Sequence, residues 1–230
     1  MRNCLKILLT VLVICFSHAA LAYSSPYFEG NTISPALLDE PFKPESAERK
    51  AEIKLIVDLQ NKLTAEEMGL ASVEYTVTPE KILQAAAPEL TKEEYPHLYK
   101  LLDRSQETAW EAKDAIKDYW KCQRPYEVSK KVKLFTKPSS NASYPSGHAT
   151  RGYTMAHILG LLVPEKRTEF LLVVHQMTER RVLVGEHFPS DLKAGRRLAF
   201  IVIGGLLQNS EFKKDFAAAK KELAAYQPNS

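Results

Sequence analysis

Three groups of residues in this chain have the types and spacings to hold an anion and move a proton. The first is Pro145-Ser146-Gly147-His148, where a hydroxyl, a glycine and an imidazole follow a proline just ahead of a helical run. Ser146 is a preferred N-cap type, and the first N–H groups of a helix have no acceptor within it. Those donors and the positive end of the helix dipole attract an anion, and Gly147 lets it approach the backbone. His148 beside it can exchange a proton near neutral pH. The second group is Lys117 and Arg124, seven residues apart. That is almost two helical turns, so both cations project from nearly one side of a helix expected to stop at Arg124-Pro125. The third is Arg181, His187 and Asp191. His187 and Asp191 are four apart and face one another across a turn started by Pro189. An aspartate that accepts from one imidazole nitrogen fixes the tautomer and makes the other nitrogen a nucleophile or a base. Taken singly, each group has an ordinary reading too: a capped helix, a solvated basic helix end, a histidine and an aspartate at a helix start.

The elements that must position these residues are helical. Apolar positions at three- and four-residue spacing predict a helix over 46–63, with Leu55, Ile56, Leu59 and Leu63 on one stripe. Thr64 with Glu67, and Thr78-Pro79, start two short pieces. Thr91 and Glu94 repeat the capping-box pattern ahead of the longest periodic stretch, from Leu98 to Trp120. The segment 125–144 has no period and reads as a loop, and its acceptor-like Asn141-Ala142-Ser143 reads as a chance match. Helices are expected again over 147–162, 165–184 and 190–207. A last one, capped by Asn209-Ser210, runs to Tyr226 with Phe212, Phe216, Ala219 and Leu223 as its buried edge. Residues 23–44 read as an extended arm, and only Val73 to Val77 looks strand-like. The fold class expected is all-α.

Composition narrows the function. Arg2 and Lys6, the apolar run Ile7 to Phe16 and the small residues of Ala20-Leu21-Ala22 have the order of a cleaved signal peptide over 1–22. The remainder, 23–230, is of single-domain length. The formal charge is +3, and loss of Arg2 and Lys6 removes two positive charges to leave +1, which points to no nucleic-acid partner. Of the three cysteines Cys4 and Cys15 leave with the leader, so Cys122 remains without a disulfide partner. No cysteine or histidine spacing suits zinc. Later apolar runs such as Leu198 to Leu207 are too short to span a bilayer. The expected product is therefore exported to the periplasm or medium, with no stable membrane insertion after cleavage.

In order along the chain, Lys117-x6-Arg124-Pro125, Pro145-Ser146-Gly147-His148 and Arg181-x5-His187-x3-Asp191 resemble the three-part motif of the type 2 phosphatidic acid phosphatase superfamily. That superfamily also contains the vanadium haloperoxidases. Within it the chain is similar to the class A bacterial non-specific acid phosphatases, a likeness that extends to Lys117-Asp118-Tyr119-Trp120 and to Asn209–Ala225. The resemblance implies a helical bundle with its phosphate site between helix ends. It also implies metal- and cofactor-independent hydrolysis of small phosphomonoesters, release of inorganic phosphate and inhibition by vanadate. Carried over position by position, Lys117, Arg124 and Arg181 clamp the phosphoryl oxygens, and Ser146 and the Gly147 N–H add neutral donors. His187 attacks phosphorus, Asp191 orients it, and His148 protonates the leaving alcohol and then deprotonates water. Two departures stand out. Arg180 occupies a position where the family usually has serine, and the disulfide pair of some class A members is missing. A lipid or polyprenyl (pyro)phosphate phosphatase and a vanadate-dependent haloperoxidase are the alternatives; the first lacks its usual spans here, and the second generally has a longer chain. A phosphate-binding module without turnover would need neither His148 nor the His187–Asp191 pair. Homo-oligomerisation stays open. His97, His157 and His175 have no motif neighbours and read as structural or surface residues.

Overall fold

The helices follow one another as α1 (Ala47–Lys62), α2 (Ala65–Ser72), α3 (Pro79–Ala86), α4 (Pro96–Trp120), the single turn α5 (Pro125–Val128), α6 (Gly147–Leu162), α7 (Arg167–Leu183), α8 (Pro189–Leu206) and α9 (Ser210–Glu222). Short 3-10 turns lie at Gly30–Thr32, Pro35–Leu37, Pro164–Lys166 and Leu223–Ala225. The structure is a computed structural model that describes residues 26–72 and 76–227. No strand occurs among the described residues, in keeping with an all-α fold. The expected leader over 1–22 lies outside them, as do residues 73–75 of the strand-like stretch; Val77 is buried in neither helix nor strand.

Helix α6 is central, because it has no polar face to give to solvent. Eleven of its residues are buried, from Gly147 through Ala149, Gly152, Ala156 and Gly160, and small side chains let α4, α7 and α8 approach it. The closest approach decides where the site forms. A Cβ at Gly195 of α8 would stand 2.6 Å from Ser146 O and 2.7 Å from Ala149 Cβ, so only glycine lets the two helices start side by side. Ser146 N–H then donates to Asp191 O at 3.0 Å, tying one helix start to the other. Phe170, Val174, Leu198, Val202 and Leu206 close the core around α6. Each large apolar side chain so buried contributes about 1.5–3 kcal/mol. The N-terminal arm lies along α4 and α9: Tyr27 N–H donates to Thr108 Oγ1 at 2.9 Å and its hydroxyl to Asp215 Oδ2 at 2.9 Å.

Helices α1, α6 and α8 lie within a residue of their expected bounds, α2, α3 and α9 start where their caps put them, and α9 ends at Glu222, giving way to the 3-10 turn Leu223–Ala225 short of Tyr226. Three expectations are corrected. The Thr91/Glu94 capping box does not form, and α4 begins at Pro96 instead. Its first free N–H groups, of His97 and Leu98, are taken by the Glu222 carboxylate of α9 at 3.1 and 2.9 Å, a cap supplied from far along the chain. Helix α4 also stops at Trp120, short of Arg124-Pro125, because Lys121 turns left-handed at φ 49° and its N–H closes on Lys117 O. Finally, the 125–144 loop opens with the turn α5, started by Pro125 and braced by the Glu127 carboxylate, which accepts from Arg124 N–H at 2.6 Å. Among the described residues no helix is long and apolar enough to cross a membrane.

Candidate active site

A cavity of about 410 Å³ opens where α4 ends and α6 begins, and it brings the three sequence groups together. Lys117, Arg124, Gly147, His148, Arg181 and His187 all line it. Lys117 comes from the last turn of α4 and Arg181 from the last turn of α7. Arg124 lies beyond α4, in extended backbone, so the two cations of the first group meet through the turn at Lys121 and not by sharing a helix face. His148 sits in the first turn of α6, and His187 just precedes α8.

His187 and Asp191 pair as their spacing predicts, with Nδ1 3.2 Å from Oδ2 and both side chains buried. The same Oδ2 accepts from Ser143 Oγ at 2.5 Å and from Phe188 N–H at 2.9 Å. Asp191 thus caps α8 and holds the imidazole at once. Burial acts to raise its pKa, and the bonds from His187, Ser143 and Phe188 outweigh that and lower it, so the carboxylate stays ionised. Burial also pushes the His187 pKa down to about 4, against the opposing pull of Asp191. The His148 ring is half-buried, and burial together with the Arg181 charge holds its pKa well below the usual histidine value. Lys117, its Nζ bonded to Ala142 O and to Ser143 O at 3.1 Å, is lowered to about 7 by burial and by Arg124.

Ser146 and Gly147 take places the motif alone does not specify. The Ser146 hydroxyl accepts from Ala149 N–H at 3.4 Å, the residue is fully buried, and it is not among those lining the cavity. It serves the site as the N-cap of α6. Gly147 does line the cavity, and a Cβ there would come 3.1 Å from Lys113 Cδ. The N–H groups of Gly147 and His148 donate to no described residue, as expected of the first positions of a helix.

Arg124 departs most from the expected fork on a phosphoryl group. Its Nε donates to Asn141 O at 3.0 Å and its Nη1 to Glu186 O at 2.9 Å and Glu186 Oε2 at 2.6 Å. Its Nη2 donates to Asn141 Oδ1 at 2.8 Å and Ala142 O at 3.3 Å. Glu186, fully buried, is the carboxylate that holds the arginines: it also lies 3.8 Å from Arg181 Nη2 and accepts from Thr136 and Ser139 hydroxyls, both at 2.9 Å. Sequence reasoning missed Glu186, which sits inside the unassigned x5 of the third group. It also passed over Asn141-Ala142-Ser143, whose polar atoms hold Lys117, Arg124 and Asp191 in place. Lys113 was missed as well, although its spacing of four from Lys117 puts both lysines on one face of α4. No group of residues suited to a metal ion occurs among the described residues.

Residues 109–215 match the PAP2 superfamily, so the matched stretch runs from α4 into α9 and carries all three groups. The chain is 31% identical over 144 residues to an acid phosphatase of Zymomonas mobilis, covering 60% of this chain and 54% of that protein. It is 32% identical over 140 residues to a non-specific acid phosphatase of Providencia stuartii, covering 59% and 56%. A lipid A 1-phosphatase of Rhizobium johnstonii is 39% identical over a shorter stretch of 66 residues, 29% of this chain and 26% of that protein. The matched segment spans little more than half the length of the first two relatives.

Proposed function

We propose that this chain, which carries a PAP2 superfamily domain, is an exported acid phosphatase that hydrolyses phosphomonoesters through a phosphohistidine intermediate. One observation supports it above the others: a buried histidine braced by a buried carboxylate lines the same cavity as three cations and a second histidine. Phosphoryl transfer asks a protein mainly for positioning and charge stabilisation, and this wall offers both.

In the reaction, Lys117, Arg124 and Arg181 neutralise the phosphoryl oxygens, and the Gly147 and His148 N–H groups at the positive end of α6 add donors. Arg124 is held so firmly by Glu186 and Asn141 that it acts as a fixed charge; its longest bond, to Ala142 O, is the one a phosphoryl oxygen displaces most easily. With Nδ1 on Asp191, His187 attacks in line through Nε2. The bond from phosphorus to the leaving oxygen breaks as the N–P bond forms, and His148 gives that oxygen its proton. Burial and the neighbouring arginines hold His148 deprotonated in the free site; the phosphoryl charge offsets the arginines, so His148 takes up a proton from solvent as substrate binds. A water then attacks phosphorus, His148 takes its proton, the N–P bond breaks and phosphate leaves with His187 neutral again. The 1–22 pattern supports export, and the single-domain reading of 23–230 goes with it.

The test is hydrolysis of p-nitrophenyl phosphate in the presence of a chelator, followed by rapid acid-free quench with labelled substrate and mapping of the label. Label on His187 and competitive inhibition by vanadate, which mimics the five-coordinate transition state, are expected. Label on His148 or Ser146, or turnover lost to the chelator, would rule the mechanism out.

A further inference from the structure

We propose that Lys113, Arg151 and Trp110 form a second anion subsite beside the phosphate clamp, selecting phosphate esters whose leaving side carries another anionic group; the idea deepens the phosphatase reading and rests on it. Six cations line the cavity (Lys113, Lys117, Arg124, Lys137, Arg151 and Arg181), and no carboxylate does among the described residues. A phosphate monoester brings only about −1.5 to −2 charges. The clamp accounts for three of the cations, so the remainder exceed what the charge of one phosphoryl group calls for.

Their placement is ordered. Lys113 lies one turn before Lys117 on α4, about 6 Å along the axis, and Arg151 lies one turn after Gly147 on α6. Lys113 packs against Gly147, while Trp110, a turn earlier on α4, meets Arg151. The two helices therefore offer a second pair of cations one step from the clamp along both axes. Lys113 is as deep as the clamp itself, 1% exposed against 3% for Lys117. The Trp110 ring holds both charges, with Lys113 Nζ 3.4 Å and the Arg151 guanidinium carbon 4.3 Å from its centroid. The nearby carboxylates are outside the cavity wall. Asp114, which pairs with Lys113 Nζ, is 43% exposed, and Glu107 is the acid that feels Arg151. An exposed partner yields readily to a second anion held at depth. The ligand chemistry is a second phosphate or carboxylate about one helical turn from the reacting phosphorus.

Binding of non-hydrolysable probes tests this without turnover. Calorimetry on the full mature chain compares methylphosphonate, methylenediphosphonate and phosphonoacetate. Methylenediphosphonate is expected to bind at least ~10-fold more tightly than methylphosphonate, the size of one added charge-assisted contact. Lys113→Met and Arg151→Gln are each expected to shrink that ratio several-fold. Phosphonoacetate binding as tightly as the diphosphonate assigns the subsite to any second anion, and weaker binding assigns it to phosphate. Equal affinity for the mono- and diphosphonate in the wild type, or an unchanged ratio in both variants, overturns the subsite. Should Lys113→Met not fold, Arg151→Gln reads the same ratio from the other helix. A chain that cleaves monoesters with a ratio of one loses the subsite alone; a chain that keeps the ratio but cleaves nothing loses the phosphatase reading alone.

Discussion

Two histidines flank the same cavity at the starts of neighbouring helices, and the protein treats them differently. His187 is enclosed and its Nδ1 is held by Asp191, which Ser143 and the α8 backbone hold in turn. His148 is half-buried at the first turn of α6, and no described side chain bonds its ring. One imidazole is fixed in direction and tautomer, as in-line attack requires. The other keeps both nitrogens available, as a group that gives a proton in one half-reaction and takes one in the next requires. Two imidazoles on one cavity thus differ in what the tertiary structure places behind the ring.

Removing the held imidazole gives the largest expected effect. His187→Ala should abolish phosphoenzyme and lower kcat on the order of 10⁴-fold or more, the scale of a lost nucleophile; quench-flow with labelled substrate reads both. Asp191→Asn should come next. The amide can still accept from Phe188 N–H, so circular dichroism should be unchanged, while kcat falls about 10³–10⁴-fold for want of the carboxylate behind the imidazole. His148→Ala should cost about 10²–10⁴-fold with an alkyl phosphate. Much of that loss should return with a p-nitrophenyl leaving group, which departs without a proton. Equal losses for both substrates would erase the distinction between the two histidines.

The pH profile of kcat/KM sharpens the comparison further. Above about pH 7 the buried Lys117 sheds its proton and the clamp loses one of three charges, so activity should decline on the alkaline side. Below about pH 4 His187 is protonated and cannot attack, so activity should fall again on the acid side. Because Asp191 pulls the pKa values of both His187 and Lys117 upward, Asp191→Asn should carry both the acid and the alkaline limb lower. The smallest effect belongs to Ser143→Ala. It removes one of three bonds to Asp191 Oδ2, a contact to a charged group worth about 1.5–3 kcal/mol, and should lower kcat roughly 10- to 100-fold. Steady-state rates with refolding controls separate this from a loss of fold.

Local signals carried far along this chain because they involve few residues. Ser46, Thr78, Ser146 and Asn209 each cap the helix that follows within three residues, so those helices start where sequence alone puts them. His187 and Asp191 meet because four residues span one helical turn and nothing distant is needed. Those local features were determined by sequence. Tertiary structure decided what depends on partners far away. Helix α4 starts at Pro96 because Glu222 of α9 takes its free N–H groups, a cap no capping-box pattern near Thr91 could announce. Lys117 and Arg124 converge because Lys121 turns the chain left-handed, which overrode the continuous helix that propensity favoured. Glu186, Asn141 and Ser143 matter only because loops 17 to 62 residues away from their partners fold onto the same cavity. Buried charges must find counter-charges and bonds wherever the fold can supply them, and sequence spacing does not record which distant residue will do so.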